Sequence, residues 1–169
     1  MNKNKLSRPT SLNKKPNRIL GLDPGFGRLG YAIIEEQNRE WIALKYGVIE
    51  TKSDQSFVER LLVLNKGINA LITEYKPQAA AIEELFFAKN VTTALKVAQA
   101  RGALLLTLVQ AHIHISEFTP LEVKQTLTGY GRADKHQIDH MVKLIFHLEK
   151  VKILDDAADA LAIAWCATV

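Results

Sequence analysis

The order of strand-like and helix-like segments is the sequence feature that most restricts what this chain can fold into. Short apolar runs with the length and composition of β-strands occupy residues 19–22, 29–34, 41–49, 79–83 and 113–118. Apolar side chains recur every three or four positions, as in amphipathic helices, over residues 57–75, 91–110, 120–127, 134–148 and 157–167. Three strands therefore precede an alternation of helix and strand, and helices close the chain. This order predicts an α/β fold with a five-stranded sheet flanked by helices.

The lengths of the connections predict how the strands pair. The polar stretch at residues 35–40 is short, which favours antiparallel pairing of the strands on either side of it. The helical connection between the strands at 19–22 and 79–83 favours parallel pairing, so the first strand is expected at the centre of a mixed sheet. Ligands bind to such sheets at the carboxyl ends of strands. The residues that follow the strands are therefore the first candidates for a functional site.

A carboxylate ends two of the predicted strands. Asp23 follows the apolar run at 19–22, and Glu83 closes the run at 79–83. A buried strand has no structural need for a terminal acid, and an acid at that place must be solvated, paired or bound to a cation. Taken alone, Asp23 is also typical of a turn, and Glu83 is also typical of a strand end that meets water.

Two more acids lie at the start of the last predicted helix. Asp156 and Asp159 are three residues apart and therefore share one helical face. Asp155 is rotated by about 100 degrees from Asp156 and suits the N-cap position instead. Acids are favourable at any helix N-terminus, so this pair does not by itself require a ligand.

Four acids, Asp23, Glu83, Asp156 and Asp159, are therefore expected to meet at one edge of the sheet. Carboxylates that are brought together repel each other unless protons or cations neutralise them. Oxygen ligands favour hard cations, and we expect Mg²⁺, with Mn²⁺ able to replace it. Two such ions about 3.5–4 Å apart stabilise the attacking and the leaving oxygen of a phosphoryl displacement. The joint placement of the acids thus favours a cation site suited to phosphoryl displacement.

The basic residues are concentrated at the N-terminal end. The net charge is +4, but residues 1–18 contain six of the basic residues and no acid. The other 151 residues hold 16 basic and 18 acidic side chains, so affinity for nucleic acid there must come from a local patch. We interpret residues 1–17 as a disordered basic extension that lacks the apolar centre of a secretory signal, and residues 18–169 as one domain.

The remaining composition excludes several classes of protein. No stretch approaches the roughly 20 apolar residues of a membrane span, so no membrane association is expected. Cys166 is the only cysteine, which excludes an internal disulfide and a cysteine metal cluster and fits a reducing cytoplasm. His136 and His140 have the spacing of a zinc pair, but the Glu of the zincin motif is missing, and we interpret them as surface histidines.

The sequence also resembles the RuvC Holliday-junction resolvases from about residue 18 to residue 164. Five segments carry the resemblance, in order and at matching spacing. They are Ile-Leu-Gly-Leu-Asp-Pro-Gly (19–25), Ala-Ile-Glu-Glu-Leu-Phe-Phe-Ala-Lys-Asn (81–90), Ala-Leu-Lys-Val-Ala-Gln-Ala-Arg-Gly (94–102), Val-Lys-Gln-Thr-Leu-Thr-Gly (123–129) and Asp-Ala-Ala-Asp-Ala-Leu-Ala-Ile-Ala (156–164). Each segment alone is unspecific, whereas the ordered set is typical of the family.

The resemblance implies a ribonuclease H-like fold and a homodimer that binds four-way DNA junctions. It implies a crossover junction endodeoxyribonuclease that nicks two strands of like polarity symmetrically, with Mg²⁺-activated water as the nucleophile. A branch-migration complex is implied as a partner in recombination and repair. The residues that match the catalytic, metal-binding acids of the family are Asp23, Glu83, Asp156 and Asp159.

Three further residues match positions that contact DNA in the family. Lys124 and Lys135 match basic positions near the DNA backbone, and they flank residues 128–133, a glycine-containing break where backbone can approach phosphate. Two solvated surface lysines are the alternative interpretation. Phe86 matches an aromatic residue placed against unstacked bases, where stacking contributes about 1–3 kcal/mol. Without the resemblance, a Phe that follows a buried strand is more typical of a core.

Parts of the same sequence are compatible with other functions. A YqgF-type nuclease acting on RNA has a similar fold, although the Lys-Gln-Thr motif at 124–126 and the Ala-Ala-Asp spacing at 157–159 favour RuvC. A scaffold that binds branched DNA without cutting it would not need all four acids. Sugar kinases and actin-like ATPases also begin with a strand-end Asp, but they need a second half-domain and glycine-rich phosphate loops. Nine glycines in 169 residues leave room for neither.

Overall fold

The computed structural model describes residues 16–84 and 91–169, without the side chains of residues 91 and 92. Its strands are β1 (Arg18–Asp23), β2 (Arg28–Gln37), β3 (Glu40–Glu50), β4 (Ala79–Glu83) and β5 (His114–Phe118). Its helices are α1 (Phe57–Tyr75), α2 (Val91–Gln110), α3 (Pro120–Thr128), α4 (Lys135–Ile145) and α5 (Asp155–Cys166). These residues form a five-stranded sheet in the order β3-β2-β1-β4-β5. The predicted α/β fold is confirmed.

Strand β1 lies at the centre of a mixed sheet, as predicted. It pairs antiparallel with β2 and parallel with β4. Strand β2 pairs antiparallel with β3, and β4 pairs parallel with β5. Because β1 and β4 run in the same direction, with Leu22 beside Ile82, both strands reach the same edge of the sheet. The acids that end them, Asp23 and Glu83, leave the sheet side by side.

Alternate residues of β1 and β4 contribute to cores on opposite faces of the sheet. Ile19 faces a cluster formed with α3, α4 and α5, whereas Leu20 and Leu22 face a cluster formed with α1 and α2. A central strand that is covered on both faces reads as a continuous apolar run, which explains the composition of residues 19–22. No helix within the described residues has both the length and the apolarity needed to cross a membrane.

Helix α5 lies unusually close to the sheet because two strand residues have no side chain. A Cβ atom on Gly21 would lie 2.2 Å from the carbonyl oxygen of Ala160, and one on Gly30 would lie 2.0 Å from that of Asp156. The helix meets these glycines with small residues, since Ala157, Ala160 and Ala164 are buried. This close approach fixes the acidic start of α5 against β1 and β2.

The starts of the helices follow the sequence with one exception. Thr119 caps α3 in a capping box with Glu122, as its Thr-Pro start predicts. The prediction that Asp155 is the N-cap of α5 is wrong. The carbonyl of Leu154 already accepts the first helical hydrogen bonds, so Leu154 is the N-cap and Asp155 is the first helical residue. Asn90, the predicted cap of α2, lies outside the described residues.

Candidate active site

Three of the predicted acids line one small pocket at the edge of the sheet. Asp23 comes from the end of β1, Glu83 from the end of β4 and Asp159 from the second turn of α5. The apolar side of the pocket is formed by Val123, Ala162 and Ile163. The predicted convergence of these three acids, which are distant in the chain, is therefore present in the fold.

Separate contacts place each acid in the pocket. The parallel pairing of β1 and β4 brings Asp23 and Glu83 together. Arg101 of α2 donates from Nε to the backbone carbonyl of Glu83 at 3.0 Å and thereby fixes the end of β4. The close packing of α5 on Gly30 presents Asp159 from above the sheet. The pocket therefore depends on three elements that pack through the core.

The pKa values of the pocket acids are all raised. For Asp23, burial and the negative charges of Asp159, Glu83 and Asp156 raise the pKa to about 7. Burial, then the charge of Asp159, raises the pKa of Glu83. Burial also raises the pKa of Asp159. Acids held together in a partly buried pocket are costly to ionise without a compensating cation.

Asp156 shares this electrostatic environment but does not line the pocket. Its charge contributes to the raised pKa of Asp23. Its Oδ2 atom lies 3.1 Å from Nε of Arg28, at the start of β2. No hydrogen bond forms between them, and Oδ2 is buried without a donor. The structure thus brings Asp156 within electrostatic reach of Asp23 but directs its side chain towards Arg28.

Lys135, predicted as a DNA contact, is engaged with acids of the site. Its Nζ donates a hydrogen bond to Asp159 and lies 3.4 Å from Oδ1 of Asp139, one turn further along α4. Burial opposes the charge of Lys135, but the hydrogen bond and the charges of Asp159 and Asp139 outweigh it and raise its pKa. Lys135 therefore neutralises part of the acidic cluster.

Of the other two predicted DNA contacts, Lys124 and Phe86, the structure describes only Lys124. Lys124 is half-buried on α3, next to the pocket residue Val123, and forms no ion pair with any described residue. The side chains that line the acidic pocket do not include Lys124. Phe86 lies outside the described residues, and its role stays a prediction.

The donor chemistry of the site fits divalent cations. Residues 16–84 and 91–169 contain no set of three or more His, Cys, Asp or Glu side chains already arranged around a metal position. Asp159 is paired with Lys135, and Asp156 is paired with Arg28. All four side chains nevertheless offer carboxylate oxygens, and the orphaned Oδ2 of Asp156 lacks a partner. His136 and His140 are exposed on α4.

Two charged residues that pair with acids of the site were not predicted from the sequence. Asp139 had a usable signal, because it lies four residues after Lys135 on the same helical face. Arg28 had none, because its contacts with Asp156 and Glu50 join positions more than 20 residues apart along the chain. Such ion pairs depend on the tertiary fold.

Comparisons with known proteins decide the family. The model of the family "Crossover junction endodeoxyribonuclease RuvC" matches residues 19–167. The chain belongs to the RuvC family. The RuvC protein of Roseiflexus is 51% identical over 151 residues, which cover 89% of this chain and 90% of that protein. The RuvC protein of Thermosipho melanesiensis is 47% identical over 152 residues, which cover 90% and 97%.

A solved RuvC structure confirms the ribonuclease H-like fold. RuvC of Thermus thermophilus in complex with a Holliday junction substrate matches with a TM-score of 0.82 and 31% identity, over 88% of this chain and 91% of that one. RuvC proteins are metal-dependent nucleases, and the YqgF-type and scaffold alternatives are not favoured by these comparisons. The RuvC match begins at residue 19, but the boundary between an extension at 1–17 and a domain at 18–169 stays a prediction.

The raised pKa of Asp23 makes the folded protein sensitive to pH. Between about pH 4 and pH 7 the folded state holds a proton that the unfolded state releases, so stability falls as pH rises through this window. Asp23→Asn removes this cost. Without divalent metal at pH 8, we expect the variant to be more stable than wild type by on the order of 2 kcal/mol, after discounting for solvent screening.

Denaturant unfolding in EDTA at pH 8 and pH 4.5 measures this effect. The gain of Asp23→Asn should shrink towards the lower pH, where the wild-type carboxyl is protonated in the folded state. Asp54→Asn is the control, because Asp54 is exposed, and it should leave the free energy of unfolding unchanged at both pH values. A variant that is no more stable than wild type at pH 8 would show that Asp23 is not held under electrostatic stress.

Proposed function

We propose that this RuvC-family chain resolves four-way DNA junctions by paired phosphodiester hydrolysis, with Asp23, Glu83, Asp156 and Asp159 as the ligands of Mg²⁺. The observation that supports this most directly is the pocket lined by three of these acids in a member of a junction endonuclease family. We infer two ions per site, because four carboxylates carry more negative charge than one divalent cation can neutralise.

The side chains of the pocket have distinct roles in this proposal. When bound, the divalent cations supply positive charge at the attacking and leaving oxygens of an in-line displacement. Asp23, between the other acids, binds and orients that charge at the centre of the pocket. Val123 and Ile163 exclude bulk water from one side of it. Lys135 neutralises Asp159 in the structure, and with cations held by the four acids its ammonium group would serve the phosphate backbone instead.

Lys124 supplies a second phosphate contact in this proposal. It follows the pocket residue Val123 on α3, and in this proposal its ammonium group contacts the backbone of the scissile strand as that strand reaches the acids. Phe86, matched by family resemblance, stacks on an unstacked base at the crossover in the same proposal. Together these contacts recognise the backbone and the open centre of a junction, and not a base sequence.

A homodimer is part of the proposed function because two symmetric nicks need two active sites. Helix α2 presents exposed apolar side chains at Leu95, Leu106 and Val109. Leu106 follows Leu95 by 11 residues, and Val109 follows Leu106 by 3 residues, so the three side chains share one face of the helix. An exposed apolar stripe of this kind supports association with a second copy. Sedimentation velocity of the full chain should give a dimer. The predicted branch-migration partner has no assigned surface.

The proposed activity is tested by comparing substrates in one assay. Purified protein is incubated with an end-labelled four-way junction, the corresponding linear duplex and a structured RNA, each with Mg²⁺ or with EDTA. We expect paired nicks at symmetric positions in the junction alone, and only with Mg²⁺. Cleavage of the RNA alone would favour a YqgF-type nuclease, and binding of the junction without cleavage would favour a scaffold.

Lys124→Ala is expected to weaken junction binding several-fold and to lower the slope of log affinity against log salt by about one. The reason is the loss of one phosphate contact outside the acidic pocket. Fluorescence anisotropy with a labelled junction at several salt concentrations measures both quantities. Lys66→Ala is the matched control, because Lys66 is exposed on α1, on the opposite face of the sheet. Equal salt slopes for the two variants would contradict the assignment of Lys124.

A further inference from the structure

Arg28 lies between an acid of the site and an acid outside it. Its Nε atom is 3.1 Å from Oδ2 of Asp156 and 3.5 Å from Oε1 of Glu50. Its side chain is 49% exposed, compared with 30% for Asp156 and 68% for Glu50. The guanidinium of Arg28 therefore lies at the surface and contacts a carboxylate that is less exposed than itself.

The contact between Arg28 and Asp156 is one of charge and not of a hydrogen bond. Oδ2 of Asp156 is buried, and no donor in the described structure satisfies it. A buried carboxylate oxygen without a donor carries a free-energy penalty, which a closer or better-directed cation would relieve. The guanidinium thus compensates the charge of Asp156 without donating a hydrogen bond to its buried Oδ2 atom.

The backbone gives the carboxylate of Asp156 little other freedom. Its carbonyl oxygen lies against Gly30, two residues after Arg28 on the same strand, so the start of α5 cannot shift towards the sheet. Asp156 therefore changes its surroundings mainly by rotation of its side chain. In the structure that side chain faces Arg28, while Asp23, Glu83 and Asp159 line the pocket.

We propose that Arg28 is a positioning residue that holds Asp156 out of the metal site, so that a divalent cation must displace the guanidinium to obtain its fourth carboxylate. This inference rests on the proposed function, since it takes the four acids as the metal ligands. The Arg28–Asp156 ion pair competes with the cation, and its strength contributes to the metal concentration at which the site fills.

Competition between Arg28 and the cation for Asp156 determines whether removal of Arg28 raises or lowers the affinity for the cation. Removing the guanidinium leaves Asp156 uncompensated and available, so the affinity for the cation rises. Because Arg28 is half-exposed, its pairing energy is that of a surface ion pair, and the expected change is about threefold to fivefold in Kd. A residue that only supported the local fold would change the affinity in the opposite direction when removed.

The test is a titration of the metal-free full chain with Mn²⁺ alone, in which free Mn²⁺ is followed by electron paramagnetic resonance. Arg28→Met, which keeps the aliphatic stem, is expected to lower the Kd about threefold to fivefold. Arg28→Lys keeps the charge and should stay within about twofold of wild type. In an Asp156→Asn background, Arg28→Met should no longer change the Kd, because Arg28 acts through Asp156.

The outcomes separate this inference from the proposed function. Asp23→Asn is titrated in parallel and should lose most of its Mn²⁺ binding. If it does and Arg28→Met binds Mn²⁺ no more tightly than wild type, the role of Arg28 is overturned while the metal site stands. Competition through Asp156 is also overturned if Arg28→Lys lowers the Kd for Mn²⁺ as much as Arg28→Met does. The same holds if Arg28→Met lowers the Kd as much in the Asp156→Asn background as in the wild-type protein. Unchanged Mn²⁺ binding by Asp23→Asn would overturn both proposals.

Discussion

Asp23→Asn is expected to lower the rate of junction cleavage by about a hundredfold to a thousandfold, the range found when one electrostatic group of an active site is removed. Asp23 is the acid whose pKa responds to the charges of Glu83, Asp156 and Asp159, which places it at the electrostatic centre of the site. Asn has nearly the same shape but no charge. Junction binding through the lysines should therefore be retained.

Single-turnover cleavage with Mg²⁺ and junction binding in EDTA measure the two effects separately. Asp155→Asn is the matched control, because Asp155 is an exposed acid next to Asp156 on the same helix. It should cut at close to the wild-type rate. If Asp23→Asn also cuts at the wild-type rate, the assignment of the acids is wrong. If both variants lose activity equally, the charge of the helix start matters more than the position of Asp23.

Gly30→Ala is expected to destabilise the fold by about 3 kcal/mol, at the upper end of the usual cost of overpacking. Its Cβ atom would lie 2.0 Å from the carbonyl oxygen and 2.6 Å from the carbonyl carbon of Asp156. Both are backbone atoms, so α5 must move away from the sheet. Since α5 carries Asp156 and Asp159, a shift of about 1 Å should also slow cleavage about a hundredfold.

Gly27→Ala is the matched control for this prediction. A Cβ atom there meets only Nη2 of Arg60, at 3.5 Å, which is an ordinary contact with a flexible side chain. Denaturant unfolding should show little change for Gly27→Ala and a large loss for Gly30→Ala. A Gly30→Ala protein with wild-type stability and activity would show that α5 does not depend on close contact with β2.

The sequence was sufficient to predict those features that are encoded locally. The strands that end in Asp23 and Glu83 are apolar runs with one acid at the end, and the helix that precedes the second of them favours parallel pairing. Asp156 and Asp159 share a helical face by spacing alone. The place where the helix approaches the sheet was also encoded, at Gly21 and Gly30, but their role becomes visible only when Ala160 and Asp156 are seen opposite them.

Features that depend on tertiary contacts could not be predicted. The orientation of Asp156 is set by Arg28, which the chain places more than 100 residues earlier. The contact of Lys135 with Asp159 depends on how α4 packs against α5, whereas its predicted contact with DNA stays a proposal. The start of α5 was misjudged at Asp155 because a side chain suited to capping need not be the residue where the backbone turns helical.

The seating of α5 on two glycines has a consequence for how such an enzyme can vary. The same twelve-residue helix fills the centre of one core and delivers two of the four acids. Natural substitutions that change the packing of α5 against the sheet would change the catalytic rate and the thermal stability together. Neither property can therefore vary at this interface without the other. Adaptation to other temperatures is then expected to accumulate on the exposed face of α1, where substitutions leave the acids in place.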